Sequence, residues 1–161
     1  MPFAIRAAML GPFFALALAG AARADDPTDI CPAVVVDDAT RNAAYYPGGE
    51  PGRNRRDYSH IAVILSVTAS CVETDDDRIV ATVSVTYAVE PGPLYRGGAE
   101  VKIKAALTKG GAQILESENA KETPLTPGTP ATITNTIAGI AVGADDDVEE
   151  GGYTLTVGLV P

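Results

Sequence analysis

The chain has 161 residues, of which 46% are hydrophobic and 20% are charged, and its formal net charge is −9 at pH 7. A chain this acidic repels nucleic acid and anionic lipid, because both bind basic surfaces, so we expect neither as a partner. The sequence contains one histidine, two methionines and two cysteines. Capture of copper or zinc by a cluster of such ligands is therefore not expected.

Residues 1–24 have the composition of an export signal. A positively charged start and an apolar stretch precede the small-x-small sequence Ala22-Arg23-Ala24. The apolar stretch is too short to span a membrane, so we predict cleavage before Asp25 and no membrane insertion afterwards. A retained N-terminal anchor is the alternative. The expected mature chain, residues 25–161, is a single domain in the periplasm or outside the cell.

Cys31 and Cys71 are the only cysteines of the sequence. An even number of cysteines in an exported chain indicates a disulfide. A redox or metal-binding pair is the alternative, but the spacing is far from Cys-x-x-Cys and no histidine lies next to either residue. We therefore predict a structural Cys31–Cys71 disulfide.

Apolar and polar residues alternate with a period of two along much of the chain, which predicts β-strands. In the stretch 61–71 we assign the odd-numbered residues to the core face, with Ile64 as an apolar exception on the opposite face. In the stretch 79–89 the odd-numbered residues are again apolar. The acidic sequence 73–77 between the two stretches predicts a hairpin.

Further strands are predicted at 33–36, 101–108, 112–117, 131–138 and 153–159. The Lys109-Gly110-Gly111 sequence predicts a second hairpin, and the proline-rich stretch 123–130 predicts a connecting loop, since proline lacks the amide hydrogen of a central strand. About seven strands without a convincing helix predict an all-β fold. We expect an immunoglobulin-like two-layer sandwich, with a small β-barrel as the alternative.

Several short motifs resemble a group of uncharacterised bacterial envelope proteins, many of which are lipoproteins. The motifs are Cys31-Pro32 followed by valines, the Pro47-Gly48-Gly49 turn, a long strand ending at Cys71, and Gly92-Pro93 after the second long strand. The resemblance implies a place in the cell envelope but no activity. The present chain differs from the lipoproteins because no cysteine stands at its predicted cleavage point.

The only histidine, His60, is the one candidate for a general base. Ser59, His60 and Asp57 are the residue types of a hydrolase triad, but neighbouring residues of a strand point to opposite faces. We therefore predict an exposed or edge histidine and no enzyme, with a hydrolase as a distant alternative.

Asp145, Asp147 and Glu149 are carboxylates at alternate positions before a glycine, which resembles a calcium-binding loop. The glycine falls one place late and the twelfth position is Thr156, so a solvated turn is the preferred interpretation. A calcium-stabilised adhesion domain is retained as the second functional hypothesis. No other cofactor is predicted.

The stretch between Arg41 and Tyr58 interleaves arginine and tyrosine, the residue types that dominate interface hot spots. The predicted contact residues are Tyr45, Tyr46, Arg53, Arg55 and Arg56. A mobile inter-strand loop is the alternative interpretation. The leading hypothesis is a non-catalytic protein-interaction module whose partner is an envelope protein or a glycan. The sequence does not indicate the oligomeric state.

Overall fold

A computed structural model describes residues 30–50, 56–144, 148 and 152–161 of the chain. These residues form eight strands: β1 (Ala33–Val36), β2 (Asn42–Tyr45), β3 (His60–Glu73), β4 (Arg78–Pro91), β5 (Ala99–Lys109), β6 (Ala112–Thr123), β7 (Ala131–Ala144) and β8 (Tyr153–Val160). None of the described segments forms a helix long and apolar enough to cross a membrane. The predicted export signal, residues 1–24, lies outside the described residues.

The strands form two four-stranded sheets, with the orders β1-β8-β5-β6 and β2-β3-β4-β7. Every pairing is antiparallel except that of β1 with β8, which is parallel. The sheets do not close into a barrel. The predicted two-layer β-sandwich is thus confirmed.

The core lies between the two sheets, and β4 contributes most regularly to it. Its odd-numbered residues from Ile79 to Val89 are 0% exposed, and Tyr87 is the largest of the fully buried side chains. The same alternation buries Val101 to Leu107 of β5 and Tyr153 to Leu159 of β8. In these three strands the period-two pattern predicted the buried face correctly, because each runs without a break in phase through its apolar residues.

Strand β3 changes phase in its middle, which the sequence analysis did not predict. Ile64 pairs with Tyr87 and Ser66 pairs with Thr86, so Leu65 is an extra residue in a β-bulge. As a result Ala62 and Ile64 point into the core, whereas Val63 and Leu65 are 37% and 55% exposed. The assignment of Ile61, Val63 and Leu65 to the core face was wrong, and the apparent exception Ile64 is a core residue. After the bulge the predicted phase holds, and Cys71 is buried.

Strand β2 is the eighth strand, one more than predicted. It lies within the stretch between Arg41 and Tyr58, for which no strand was predicted, and it pairs with the start of β3 through Tyr45 and His60. Strand β7 is also longer than predicted and continues past Gly139, whose φ of 74° lies in the left-handed region. A register shift at that glycine keeps Ile137 and Ile140 both buried.

Edge strands β6 and β7 lie beside each other on one side of the sandwich and are joined by side chains. Asn119 donates its Nδ2 hydrogen to the carbonyl of Thr136 at 2.6 Å, and the Lys121 ammonium donates to the carbonyl of Thr134 at 2.8 Å. These side chains cover part of the β7 edge, which hinders edge-to-edge association on this side.

On the other side of the sandwich, a disulfide joins Cys31, just before β1, to Cys71 near the end of β3. The two Cα atoms are 5.4 Å apart, and the bond links the two sheets. The predicted disulfide is confirmed. It is compatible with an oxidising compartment outside the cytoplasm.

Candidate functional site

A cleft of ≈ 450 Å³ opens at one end of the sandwich, where β2 ends and where β3 and β5 begin. It is lined by Tyr45, Tyr46, Pro47, Gly49, Ser59, His60, Leu94, Arg96, Gly97, Gly98, Glu100, Lys102, Val160 and Pro161. A second cleft of ≈ 340 Å³ shares Tyr46, Gly49 and Pro161 with the first. The two clefts thus adjoin at Tyr46, and we refer to them together as the groove.

The wall of the cleft contains an aromatic stack. Tyr45 and His60 are register partners on β2 and β3, and their rings lie 4.5 Å apart at an interplanar angle of 10°. His60 is only 5% exposed. The expectation of an exposed or edge histidine was therefore wrong: the neighbouring strand β2, which was not predicted, covers the ring.

Both ring nitrogens of His60 have a polar partner. Nε2 is 2.9 Å from the carbonyl oxygen of Glu100, and Nδ1 is 3.2 Å from the hydroxyl of Ser59. A carbonyl can only accept, so Nε2 carries the hydrogen and neutral Nδ1 accepts from Ser59. Burial lowers the pKa of His60 below its ordinary value, partly offset by the hydrogen bond to Glu100. The two ring nitrogens thus face a hydroxyl and a backbone carbonyl, whereas a hydrolase triad would place a carboxylate at one of them.

Two tyrosine hydroxyls lie buried near the wall of the cleft. Neither Tyr45 nor Tyr87 has a hydrogen-bond partner for its hydroxyl among the described residues. The backbone amide of Lys102 is near enough to Tyr45 to oppose part of the pKa rise, but no hydrogen bond forms between them. Burial raises the pKa of both phenols, so both stay protonated at physiological pH.

The mouth of the cleft carries charged side chains of both signs. Lys102 and Glu100 form an ion pair at 3.6 Å, and both side chains are about half exposed. Arg96 is exposed and donates to the carbonyl of Tyr95 at 3.2 Å. Such exposed pairs are weak in water, so these groups remain able to meet a charged ligand.

Tyr46 is placed at the junction of the two clefts by the turn that follows β2. The amide of Gly49 donates to the carbonyl of Tyr46 at 2.9 Å, and Gly48 and Gly49 have φ values of 87° and 86°. Only glycine adopts two successive conformations of this kind without strain, so the sequence Pro47-Gly48-Gly49 holds Tyr46 in position.

Two of the five predicted contact residues lie together in the cleft. Tyr45 and Tyr46 both line the cleft, although Tyr45 serves as part of its wall. Arg56 is exposed beyond the lining, and Arg53 and Arg55 lie outside the described residues. The sequence analysis missed Arg96, Glu100 and Lys102 as site residues. The only signal for Glu100 and Lys102 was their place on the polar face of the β5 alternation, and no pattern marked Arg96, which precedes the strand.

The candidate calcium ligands Asp145, Asp147 and Glu149 also lie outside the described residues. Within the part of the chain that is described, no three histidine, cysteine, aspartate or glutamate side chains are grouped closely enough to hold a metal ion. The calcium hypothesis thus stays a prediction.

Comparison with protein-family models, with curated proteins and with solved structures finds no match to this chain.

Proposed function

We propose that this chain is a non-catalytic binding module of the periplasm or extracellular space, which holds an acidic segment of a partner in the groove beside Tyr46. The observation that carries the proposal is the cleft of ≈ 450 Å³ at one end of the sandwich. Concave surfaces that combine aromatic side chains with a few placed polar groups are the usual form of a ligand site.

Three features support an elongated, acidic ligand. The second cleft adjoins the first at Tyr46, and two adjoining clefts suit an extended peptide or glycan chain better than a compact molecule. Arg96 and Lys102 supply cations at its mouth, and the exposed face of a tyrosine stacks on flat or ring-shaped groups. The stacked Tyr45–His60 wall is rigid, which lowers the ordering cost of binding.

Different observations support the proposed location and the proposed immunoglobulin-like character. The disulfide and the export signal predicted from the sequence support the periplasm or the medium. Like immunoglobulin domains, the sandwich presents loops at its ends for recognition. The two sheets of a constant-type immunoglobulin domain have the strand orders ABED and CFG, in which no three consecutive strands are neighbours. Here β2, β3 and β4 are consecutive neighbours in one sheet. The likeness therefore lies in the two-layer architecture and not in the strand order.

The test compares a cleft variant, Tyr46→Ala with Arg96→Ala, with the control Arg41→Ala. Arg41 is an exposed arginine that pairs with Asp38 and lines neither cleft. Labelled oligoglutamate and oligogalacturonate of matched charge serve as peptide and glycan probes. We expect the cleft variant to bind the preferred probe at least about tenfold more weakly than the control, since a hydrogen bond to a charged group contributes roughly 1.5–3 kcal/mol.

Equal binding by the cleft variant and the control would exclude the groove as the binding site. Preference for one probe identifies the partner as protein or glycan. Crosslinking in the envelope fraction, with the same two variants, then tests the choice against natural partners.

A hydrolase is the second candidate, because one observation favours it. Ser59 lies in the cleft with its hydroxyl 3.2 Å from Nδ1 of His60, as a nucleophile and base would. It ranks lower because His60 is 5% exposed and its other nitrogen faces a backbone carbonyl instead of a carboxylate. Hydrolysis of p-nitrophenyl acetate that disappears in Ser59→Ala but persists in Ser66→Ala supports it. Equal rates in the two variants exclude it.

A further inference from the structure

The two outer faces of the sandwich differ in charge. The outer face of the β1-β8-β5-β6 sheet carries Lys102, Lys104 and Glu116, and Lys104 pairs with Glu116 across β5 and β6 at 3.5 Å. The outer face of the β2-β3-β4-β7 sheet carries only glycine, serine, threonine, alanine, valine, leucine, isoleucine and asparagine between the ends of its described strands. Such a charge-free face is unusual in a chain that is 20% charged. Depletion of charge is the compositional mark of the centre of an interface.

Apolar side chains stand out from this uncharged face. On β3, Val63, Leu65 and Val72 are 37%, 55% and 62% exposed. Leu65 is exposed because of the bulge, which turns it away from the core. Covering these side chains would remove apolar surface from water, which is the main driving force of association.

Four hydroxyl groups of the face, on β4 and β7, are already paired with one another. Thr86 and Thr134 face each other across β4 and β7 with their hydroxyl oxygens 3.0 Å apart, and Ser84 and Thr136 repeat the arrangement at 3.5 Å. A hydroxyl that keeps a hydrogen bond when it is buried loses less free energy than one that does not. The free-energy cost of removing water from this face is therefore lower than its number of hydroxyl groups alone would indicate.

The charges at the ends of the face are complementary to a second copy. Arg78 stands at the start of β4 and Glu90 next to its end, and Ser84 lies midway between them. A two-fold axis at Ser84 brings Arg78 of each copy to the end of the face that carries Glu90 of the other. It also keeps the acidic turns at Asp75–Asp77 of the two copies at opposite ends, whereas a parallel arrangement would bring them together.

The area of the face is sufficient for a stable dimer. Strands β3, β4 and β7 each have 14 residues. With a rise of about 3.3 Å per residue and a strand spacing of about 4.8 Å, they cover roughly 650 Å² in each copy. Two copies bury roughly 1,300 Å², which falls within the range of specific interfaces.

We propose that this chain forms a symmetric homodimer through the outer face of the β2-β3-β4-β7 sheet, with β4 of one copy crossing antiparallel over β4 of the other. The interface is isologous, since the same residues serve on both sides. The overlapping strands are β3, β4 and β7, so the cleft of ≈ 450 Å³ at the end of the sandwich stays open in each copy, and the two clefts lie at opposite ends of the dimer. This arrangement does not depend on the proposed ligand.

Sedimentation equilibrium of the chain tests the proposal, with Thr86→Lys as the interface variant and Ala106→Lys as the control. Ala106 lies on the outer face of β5, in the other sheet. We expect wild type and control to have twice the mass of one chain, and Thr86→Lys to dissociate about 100-fold more readily because it buries a charge without a partner. A monomeric wild type at about 100 µM, or equal dimerisation of both variants, overturns the proposal.

A charge exchange tests the antiparallel arrangement. Arg78→Glu alone and Glu90→Arg alone each bring like charges together across the two-fold axis, so both weaken the dimer. The double variant with Arg78→Glu and Glu90→Arg restores the opposite charges and, with them, the dimer. A double variant that dimerises no better than the weaker single variant contradicts this geometry.

Discussion

His60 connects the cleft to the pH of the surroundings. Burial lowers its pKa in the folded state below the ordinary value of 6.5, and its hydrogen bond to Glu100 opposes only part of that shift. Just below pH 6.5, His60 therefore binds a proton more readily in the unfolded chain than in the folded chain. Between the pKa of His60 in the folded chain and its ordinary value of 6.5, the free energy of unfolding rises with pH. Above 6.5 the contribution of His60 to stability is fully present, and it is lost as the pH falls through this range.

This pH dependence can be measured by urea unfolding of wild type and His60→Phe between pH 7.5 and pH 5. Phenylalanine keeps an aromatic ring against Tyr45 but does not titrate. We expect wild type to lose more stability than the variant as the pH falls below about 6.5. Parallel curves for the two proteins would show that His60 does not govern acid sensitivity.

Tyr87 and Tyr95 form a matched pair that measures how much a tyrosine hydroxyl contributes to the free energy of unfolding. Tyr87 is 0% exposed and its hydroxyl has no described partner, whereas the Tyr95 hydroxyl accepts a hydrogen bond from the Leu125 amide at 2.8 Å. We expect Tyr87→Phe to stabilise the fold by about 1 kcal/mol and Tyr95→Phe to destabilise it by about 1 kcal/mol. Urea unfolding of the two variants measures these changes in the free energy of unfolding. Destabilisation by Tyr87→Phe would contradict the prediction and show that a buried water binds the Tyr87 hydroxyl in the wild type.

At the scale of the element, the bulge in β3 determines which residues reach the surface. Because Leu65 is the extra residue, its deletion leaves the pairings of Ile64 and Ser66 with β4 unchanged. Deletion of Thr68, by contrast, moves Cys71 to the opposite face and away from Cys31. A one-residue slip reverses every side chain beyond it.

We therefore expect the Leu65 deletion to fold with its disulfide intact and the Thr68 deletion to fail. Mass spectrometry of alkylated protein measures the free thiols, and circular dichroism measures the fold. Free thiols in the Leu65 deletion, or none in a folded Thr68 deletion, would contradict the assigned register.

The buried faces of β4, β5 and β8 were predictable from the sequence, since their alternation is unbroken. The first half of β3 was not, because a bulge leaves no mark in the pattern except the apparent exception at Ile64. Strand β2 (Asn42–Tyr45) escaped prediction because it lacks the β-branched residues that marked the equally short β1. In the candidate site, Tyr45 and Tyr46 were predicted from residue type alone, and the role of His60 as a buried wall was missed together with β2.

At the scale of the whole molecule, the disulfide joins the two sheets across a sequence separation of 40. Closing a loop of this length in the unfolded chain corresponds to about 4 kcal/mol in the chain-entropy model. We expect the double variant Cys31→Ser and Cys71→Ser to lose a large part of this stability and to melt at a lower temperature. Calorimetry of oxidised wild type, reduced wild type and the variant measures the loss, and three equal melting temperatures would contradict it.

The acidic sequence that contains Asp145, Asp147 and Glu149 gives a further prediction for the whole chain. Because its spacing departs from a calcium loop, we expect equal melting temperatures in calcium and in chelator. A melting temperature that rises with calcium concentration would replace the solvated-turn interpretation with a calcium-stabilised domain.

The sequence by itself determined the fold class, the disulfide pairing and most of the buried faces. Each of these follows from local features: a period of two, two cysteines, and glycine or proline at the turns. Only the tertiary structure decided the cleft and the uncharged outer face. Tyr45, His60 and Glu100 come from three different strands, and the outer face combines strands far apart in the chain. Strand pairing between distant segments places them together, and no local pattern encodes which strands become neighbours.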